Sequence, residues 1–345
     1  MEPFLFKIDN QNVQYFFDAS FFSLSRIIPK EQSVILTDEH IYGFHPEKFS
    51  AYKRVIVIPS GASLKTQATI DRIIQRMIDM QVDRSFYLIG VGGGVVTDMA
   101  GYAASVFKRG IKLVLVPTTL LNLVDASLGG KNGIDVGVYK NMVGTIYQPE
   151  IICQDLDFLT TLPEPEWSYG FAEIVKHACI GDRKLFDALS KADLDFYRDH
   201  KDALQDLIET NIMIKMKVVQ KDVRESGERK LLNFGHTFGH AVENLYQLPH
   251  GQAVAIGMVV AAYLSQAITG FDGVHSLISV LKRYGLPVQY KFDTDEVIGI
   301  MGSDKKRKGR TIDFVLLEKI GKAKIVPLEL SQISRILNQI RKQWK

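Results

Sequence analysis

The chain has 345 residues, 46% hydrophobic and 23% charged, with a formal net charge of +3 and two cysteines. That balance excludes a disordered or fibrous chain, gives no net field for nucleic acid, and leaves too few cysteines for a disulfide framework or thiolate metal site. A reducing, cytoplasmic setting is expected, and the length predicts two domains.

In chain order, the first ten residues lack a basic stretch followed by an apolar core, so no signal peptide is read. Short β-rich runs at 33–36, 54–58, 85–89, 112–116 and 151–153 alternate with longer helical stretches. Strands separated by helices predict an α/β N-terminal domain, residues 1–160, with a mostly parallel Rossmann-like sheet and a ligand edge at the strand C-termini. Pro163 and Pro165 punctuate a linker near 157–165. Beyond it, helix-period segments at 166–179, 201–221, 232–245 and 252–269 predict an all-α C-terminal domain, 161–345. One exception is a hairpin, 311–317 with 323–326, turning at Ile320-Gly321-Lys322. The longest apolar run, 253–264, is shorter than the about 20 residues that cross a bilayer, so no membrane association is expected.

The run 85–89 leads into Gly90-Val91-Gly92-Gly93-Gly94 and then into the helix-compatible 95–106. Glycines there let a backbone approach a pyrophosphate, and the following helix N-terminus offers amides and a positive dipole. The same turn also serves tight packing, and no acidic residue ends the next strand, which runs into Pro117-Thr118-Thr119. Asp38, closing the run at 33–36, is either a ribose contact or a helix N-cap.

His236 and His240 are four apart in Asn233-Phe-Gly-His-Thr-Phe-Gly-His240, and so share one helical face. Two imidazoles so placed can hold one divalent cation, and spacing alone assigns both as ligands, with His250 as a third. Glu173, in Glu173-Ile-Val-Lys176, is an oxygen donor or a partner of Lys176. Lys131 and Lys140-Asn141 lie in glycine-containing segments, and with Arg109, Lys215, Arg229 and Asp304-Lys305-Lys306 they suit a phosphate or carboxylate substrate.

Taken together, Gly92-Gly93-Gly94-Val-Val-Thr-Asp98, Arg109-Gly110, Pro117-Thr118-Thr119, Val124-Asp125, Gly129-Gly130-Lys131, Lys140-Asn141, Glu173-Ile-Val-Lys176, Arg229 to Ala241 and His250-Gly251 resemble 3-dehydroquinate synthase, a sugar-phosphate cyclase. The resemblance implies a homodimer using NAD and one divalent metal ion, Zn²⁺ or Co²⁺. It also implies a phosphorylated keto-acid substrate cyclised through transient oxidation, phosphate loss, re-reduction and aldol closure. Carried over, the metal ligands become Glu173, His236 and His250, and His240 becomes catalytic. NAD contacts fall on Asp38, Lys65, Gly92, Gly93, Gly94, Asp98, Thr118, Thr119, Asp125, Lys131, Lys140 and Thr161. Substrate contacts fall on Lys131, Asn141, Lys215, Arg229, Asn233 and Lys305 or Lys306, with Arg109 supplied by the neighbouring subunit.

Ala62, Pro165, Val223 and Gln252 depart from the family pattern and bear on NAD affinity and tuning more than on the ligand set. Rival readings are a cyclase of 2-deoxy-scyllo-inosose or valiolone type, a metal-dependent alcohol dehydrogenase that releases NADH, and a silent NAD-binding protein.

Overall fold

A computed structural model describes residues 2–137, 139–303, 307–308 and 311–344, and its contacts divide the chain into two units, Met1–Glu166 and Trp167–Lys345. The first unit holds strands β1 (Phe4–Ile8), β2 (Gln11–Phe16), β3 (Ser33–Asp38), β4 (Val55–Ile58), β5 (Tyr87–Gly92), β6 (Lys112–Pro117), β7 (Lys131–Val136), β8 (Tyr139–Ile146) and β9 (Ile151–Cys153). Its helices are α1 (Glu39–Phe44), α2 (Pro46–Phe49), α3 (Gln67–Asp79) and α4 (Gly94–Val106).

Seven strands form one sheet in the order β1-β2-β9-β6-β5-β3-β4, every neighbouring pair parallel except antiparallel β1 and β2. The five expected strand runs all lie in it. The Val/Ile/Leu-rich β3, β5 and β6 are buried along most of their length, as a parallel sheet covered on both faces requires. The order has a consequence for ligand placement. From β3 the chain goes to β4 on one side and returns across β3 to β5 on the other, so the direction of winding reverses between β3 and β5. The carboxyl ends of these two strands flank the crevice where open α/β sheets bind ligands.

Two pairs of strands escaped the periodicity reading: the edge hairpin β1–β2 and the separate two-stranded sheet β7–β8. The second carries Lys131, Lys140 and Asn141, so these residues sit on an antiparallel hairpin. Beneath the main sheet, Lys48 Nζ lies 2.8 Å from Asp155 Oδ2, and both side chains are buried. The same oxygen accepts the Phe21 N–H at 2.8 Å, so the buried charge is hydrogen-bonded as well as paired. Cys153 and Cys179 are free and buried, and desolvation pushes the Cys153 thiol up to about 12, which keeps it protonated.

The second unit contains most of α5 (Glu164–Gly181), followed by α6 (Arg183–Leu189), α7 (Leu194–Asp199), α8 (Lys201–Lys221), α9 (His236–Tyr246), α10 (His250–Thr269), α11 (Val274–Arg283), α12 (Thr294–Ser303) and α13 (Leu330–Gln343). The division between units falls within the first turn of α5. A three-stranded antiparallel sheet, β10 (Arg307–Lys308), β11 (Thr311–Lys319) and β12 (Lys322–Glu329), supplies the hairpin read from the sequence. The core joins α9, α10, α12, α13 and β11 through residues such as Phe238, Val260, Leu264, Phe314 and Leu337.

Helix α10 is longer than the apolar run at 253–264, because His250, Gly251 and Gln252 start it and 265–269 extend it. Its 20 residues are long and apolar enough to cross a membrane, yet most of them are buried inside the protein. It is the central core helix of the second unit.

Candidate active site

In the first unit the glycine turn stands at the winding reversal. Gly92 ends β5 and Gly93 forms the N-cap of α4, which has no side-chain cap, so its first amides face outward for an anion. Two donors fix the carbonyl of Gly92: Thr118 N–H at 3.0 Å and Asn122 Nδ2 at 2.8 Å. Asn122 is fully buried, and its own N–H donates to Thr119 Oγ1 at 3.2 Å. Sequence reasoning passed over Asn122 because it follows two leucines in what reads as an ordinary helix start.

Two buried hydroxyls flank the turn, Thr37 near the end of β3 and Thr118 just after β6, and neither Oγ1 has a hydrogen-bond partner among the described residues. An unmet buried hydroxyl is rare unless something completes it. With the open helix terminus, this donor set fits a dinucleotide lying across the carboxyl ends of β3, β5 and β6. Asp38 Oδ1 accepts from His40 N at 2.9 Å and Ile41 N at 3.0 Å, which makes it the N-cap of α1. Ser60 Oγ reaches the same oxygen at 3.3 Å.

Lys65, Asp98 and Asn141 meet: the buried Lys65 ammonium lies 2.5 Å from Asp98 Oδ2 and 2.5 Å from Asn141 Oδ1. Asp135, another residue without a sequence signal, ties the hairpin into this cluster. Its N–H donates to Lys65 O at 2.8 Å, and its Oδ1 accepts from Asn141 N at 2.7 Å, holding Asn141 at φ 51°. Lys131 and Lys140 are exposed on the same hairpin, and half-buried Asp125 lies in the π-helical turn Asn122–Ala126. Thr161 Oγ1 is 2.9 Å from His45 Nε2.

Arg109 is not brought to this edge. It precedes β6 at the opposite end of the sheet, one strand length or about 20 Å from the glycine turn. Lys108 and Arg109 adopt φ of 48° and 68° before Gly110 at 118°, a sharp exposed turn braced by Arg84 Nε on Lys108 O at 2.9 Å.

In the second unit, α5, α9 and α10 converge. His250 Nε2 lies 3.4 Å and His236 Nε2 3.5 Å from the same atom, Glu173 Oε1, while Glu173 Oε2 pairs with Lys176. Glu173 is thus a partner of Lys176 through one oxygen, and its other oxygen faces the two imidazoles. The donor atoms of Glu173, His236 and His250 all lie within 4.8 Å of one another. Two imidazoles and a carboxylate are the donor set of open, catalytic zinc sites, and these three fit such an ion. His240 stands beside them, its ring centroid 5.2 Å from that of His236 and 5.9 Å from that of His250. A second set, His240, Glu243 and His250, overlaps the first.

The glycines of the histidine motif explain how these helices come so close. A Cβ on Gly239 would sit 2.9 Å from the Ala253 carbonyl oxygen, and one on Gly251 would sit 2.5 Å from Tyr169 Cα, one turn before Glu173. Side chains at either position would push α10 away from α9 or α5. Desolvation lowers the basicity of His250, but hydrogen bonds to Glu173 and Glu243 outweigh it and raise its pKa to about 10.

The residues of this unit read from the sequence as suited to an anionic substrate lie on α8 and the segment before α9. Lys215 and Arg229 are buried cations. A carboxylate knot shapes the loop: Asp222 accepts from Ser226 N at 2.9 Å, Gly227 N at 2.7 Å and Arg229 N at 3.1 Å. Although partial desolvation opposes it, these backbone donors hold the Asp222 carboxyl down to about 2. Arg229 Nη1 donates to Val223 O at 2.6 Å, and Asn233 Nδ2 donates to Glu225 Oε1. Lys305 and Lys306 lie outside the described residues.

A family model described as 3-dehydroquinate synthase N-terminal matches residues 55–169, and one described as 3-dehydroquinate synthase C-terminal matches residues 170–307. The 3-dehydroquinate synthase of Campylobacter concisus (strain 13826) is 38% identical over 313 residues, 88% of this chain and 89% of that protein. A 2-deoxy-scyllo-inosose synthase complexed with carbaglucose-6-phosphate, NAD+ and Co2+ superposes with a TM-score of 0.86 at 25% identity, covering 98% of this chain and 99% of that one. ValA, the 2-epi-5-epi-valiolone synthase of Streptomyces hygroscopicus subsp. jinggangensis 5008 with NAD+ and Zn2+ bound, gives 0.85 at 25% identity, covering 98% of each.

Proposed function

The chain belongs to the 3-dehydroquinate synthase family, and from that premise we propose that it converts 3-deoxy-D-arabino-heptulosonate 7-phosphate to 3-dehydroquinate and phosphate. The observation that carries the reading is the meeting of Glu173, His236 and His250 around one carboxylate oxygen. The reaction is that of a lyase, with NAD regenerated in each turnover. Identity of 38% to a dehydroquinate synthase, against 25% to the two other cyclases, favours this substrate over theirs.

Glu173, His236 and His250 hold the divalent ion, Zn²⁺ or Co²⁺, which when bound supplies a Lewis acid at the substrate's secondary alcohol. NAD, held at Gly92 to Gly94 with Thr118, Thr119, Asp38, Lys65, Asp98, Asp125, Lys140 and Thr161, supplies a reversible oxidation of that alcohol. The chain's own residues bind and orient. Lys131, Asn141, Lys215, Arg229 and Asn233 grip the phosphate and carboxylate, and buried cations such as Lys215 and Arg229 are stabilised by an anion brought to them. His240, beside the two imidazole ligands, moves protons at the reacting oxygens. Holding the flexible chain in one ring-closing conformer accounts for most of what the final step needs.

Arg109, about 20 Å of strand from its own glycine turn, suits a role in a neighbouring copy, which supports a homodimer. We read the setting as cytoplasmic, in keeping with two free, reduced cysteines. The test supplies the keto-acid phosphate with NAD and Zn²⁺ or Co²⁺ and follows phosphate and dehydroquinate together. Equal release of both, with no net NADH absorbance, is expected. Metal-loaded protein that yields neither product overturns the reading, and accumulating NADH identifies a dehydrogenase instead.

A further inference from the structure

We propose that Glu243 is a positioning residue for the metal site, holding His250 in the tautomer and orientation that turn its Nε2 toward Glu173 and His236. The inference rests on the metal-site reading above and adds a residue to it. Glu243 is buried on α9, seven residues and two turns after His236, so both project from one face of that helix. Its Oε2 lies 3.1 Å from His250 Nδ1.

A neutral imidazole has one N–H and one lone pair, so what Nδ1 does decides what Nε2 offers. Glu243, an acceptor when ionised, accepts a hydrogen bond from Nδ1–H and so leaves the Nε2 lone pair for the ion. His236 repeats the arrangement with a different acceptor: its Nδ1 faces Phe234 O at 3.2 Å, and its Nε2 faces Glu173 Oε1 at 3.5 Å. The two rings therefore share one scheme, Nδ1 to an oxygen of α9 or the residues just before it and Nε2 to α5. This scheme also separates the two overlapping donor sets. His250 Nδ1 cannot donate to Glu243 and bind an ion with it, so the set of His240, Glu243 and His250 gives way to Glu173, His236 and His250.

Metal-binding histidines oriented by a carboxylate lose roughly 10–100-fold in ion affinity when that carboxylate is removed. The experiment compares wild type, Glu243→Ala and Glu243→Gln, each stripped with a chelator. Zn²⁺ affinity is measured by competition with a chromophoric chelator, Co²⁺ geometry by visible absorption, and fold by the melting of the metal-free proteins. A loss of roughly 10–100-fold in Glu243→Ala is expected, with a changed Co²⁺ band. Glu243→Gln, which keeps the shape and the accepting oxygen without the charge, is expected to fall between, with metal-free melting like wild type. Equal affinity and an unchanged Co²⁺ spectrum in Glu243→Gln and wild type, when Glu243→Ala also matches or fails to fold, overturn the inference. Two ions per wild-type chain, one of them lost with Glu243, overturn it as well by making Glu243 a ligand. A wild-type chain that takes no ion overturns the metal reading itself, and this inference with it.

Discussion

The glycine turn of the first unit is made almost entirely of backbone and neutral side chains: the Gly92 carbonyl held by Thr118 and Asn122, with the hydroxyls of Thr37 and Thr118 buried alongside. The imidazole cluster of the second unit is made of ionisable groups from three helices, centred on a carboxylate with no solvent exposure. A buried carboxylate is costly unless paired, and Glu173 is surrounded by Lys176, His236 and His250. The difference shows what each region asks of a ligand. The turn offers a shaped surface whose loss weakens binding by one hydrogen bond at a time, whereas the cluster is a balance of charges in which each member conditions the rest.

The sharpest test of that contrast is at the cluster. His250→Ala is expected to abolish metal retention and lower kcat by on the order of a thousandfold, since a Lewis acid supplies several kcal/mol of charge stabilisation. His240→Ala should keep the ion and lose about 10²–10⁴-fold in rate. Metal analysis with the two results exchanged would reverse the assignment of the histidines.

Next in size is packing behind the cluster. Gly239→Ala puts a methyl 2.9 Å from the Ala253 carbonyl oxygen and is expected to cost about 1–3 kcal/mol of stability, read from urea unfolding. Stability equal to wild type would mean that the approach of α9 and α10 tolerates an extra atom.

At the turn the expected effects are smaller. Thr118→Val removes a hydroxyl that has no protein partner, so the unliganded protein should unfold at the wild-type denaturant concentration or above it. Its NAD affinity should fall by about 0.5–1.5 kcal/mol, the value of one hydrogen bond, read by titration. Unchanged affinity would remove Thr118 from the NAD site.

The smallest effect concerns the loop that presents Arg229. The Asp222 carboxyl, held at about 2, is depressed below its usual 3.8. Its stabilisation is therefore complete above about 3.8 and is lost as pH falls toward 2. Asp222→Asn should flatten the stability curve across that window, and parallel curves for mutant and wild type would show that the knot contributes nothing.

How far the sequence revealed these regions follows the same contrast. The turn belongs to one contiguous stretch, and the strand and helix around it were readable from apolar periodicity. The parallel strands were legible because each is a short apolar run between helices, and α8 because its period holds for six turns. The hairpin β7–β8 was not, since β8 is exposed at nearly every position and lacks the alternation that marks a half-buried strand. Asn122 and Asp135 act through hydrogen bonds to the backbone of Gly92 and Lys65, far away in the chain, which leave no spacing signature. In the cluster, the four-residue interval suggested His236 and His240 as a ligand pair, because spacing reports which side chains share a helix face and is silent about a third helix. The residues themselves offered Glu173 and His250 only as candidates, family resemblance chose them over His240, and the geometry that joins them depends on glycines that no pattern of donors would single out.

Helix α10 carries a last consequence. Buried on every side from Ala253 to Ala262, it has no wet face along that stretch to choose its rotation, and turning it by one residue, about 100°, would swing His250 away from Glu173. The rotation is set instead by places where backbone meets backbone, Gly239 against Ala253 and Gly251 against Tyr169. The aim of an imidazole at the helix's first residue is thus encoded in atoms that are missing, and a methyl group added at a residue that touches no ligand would be enough to misdirect it.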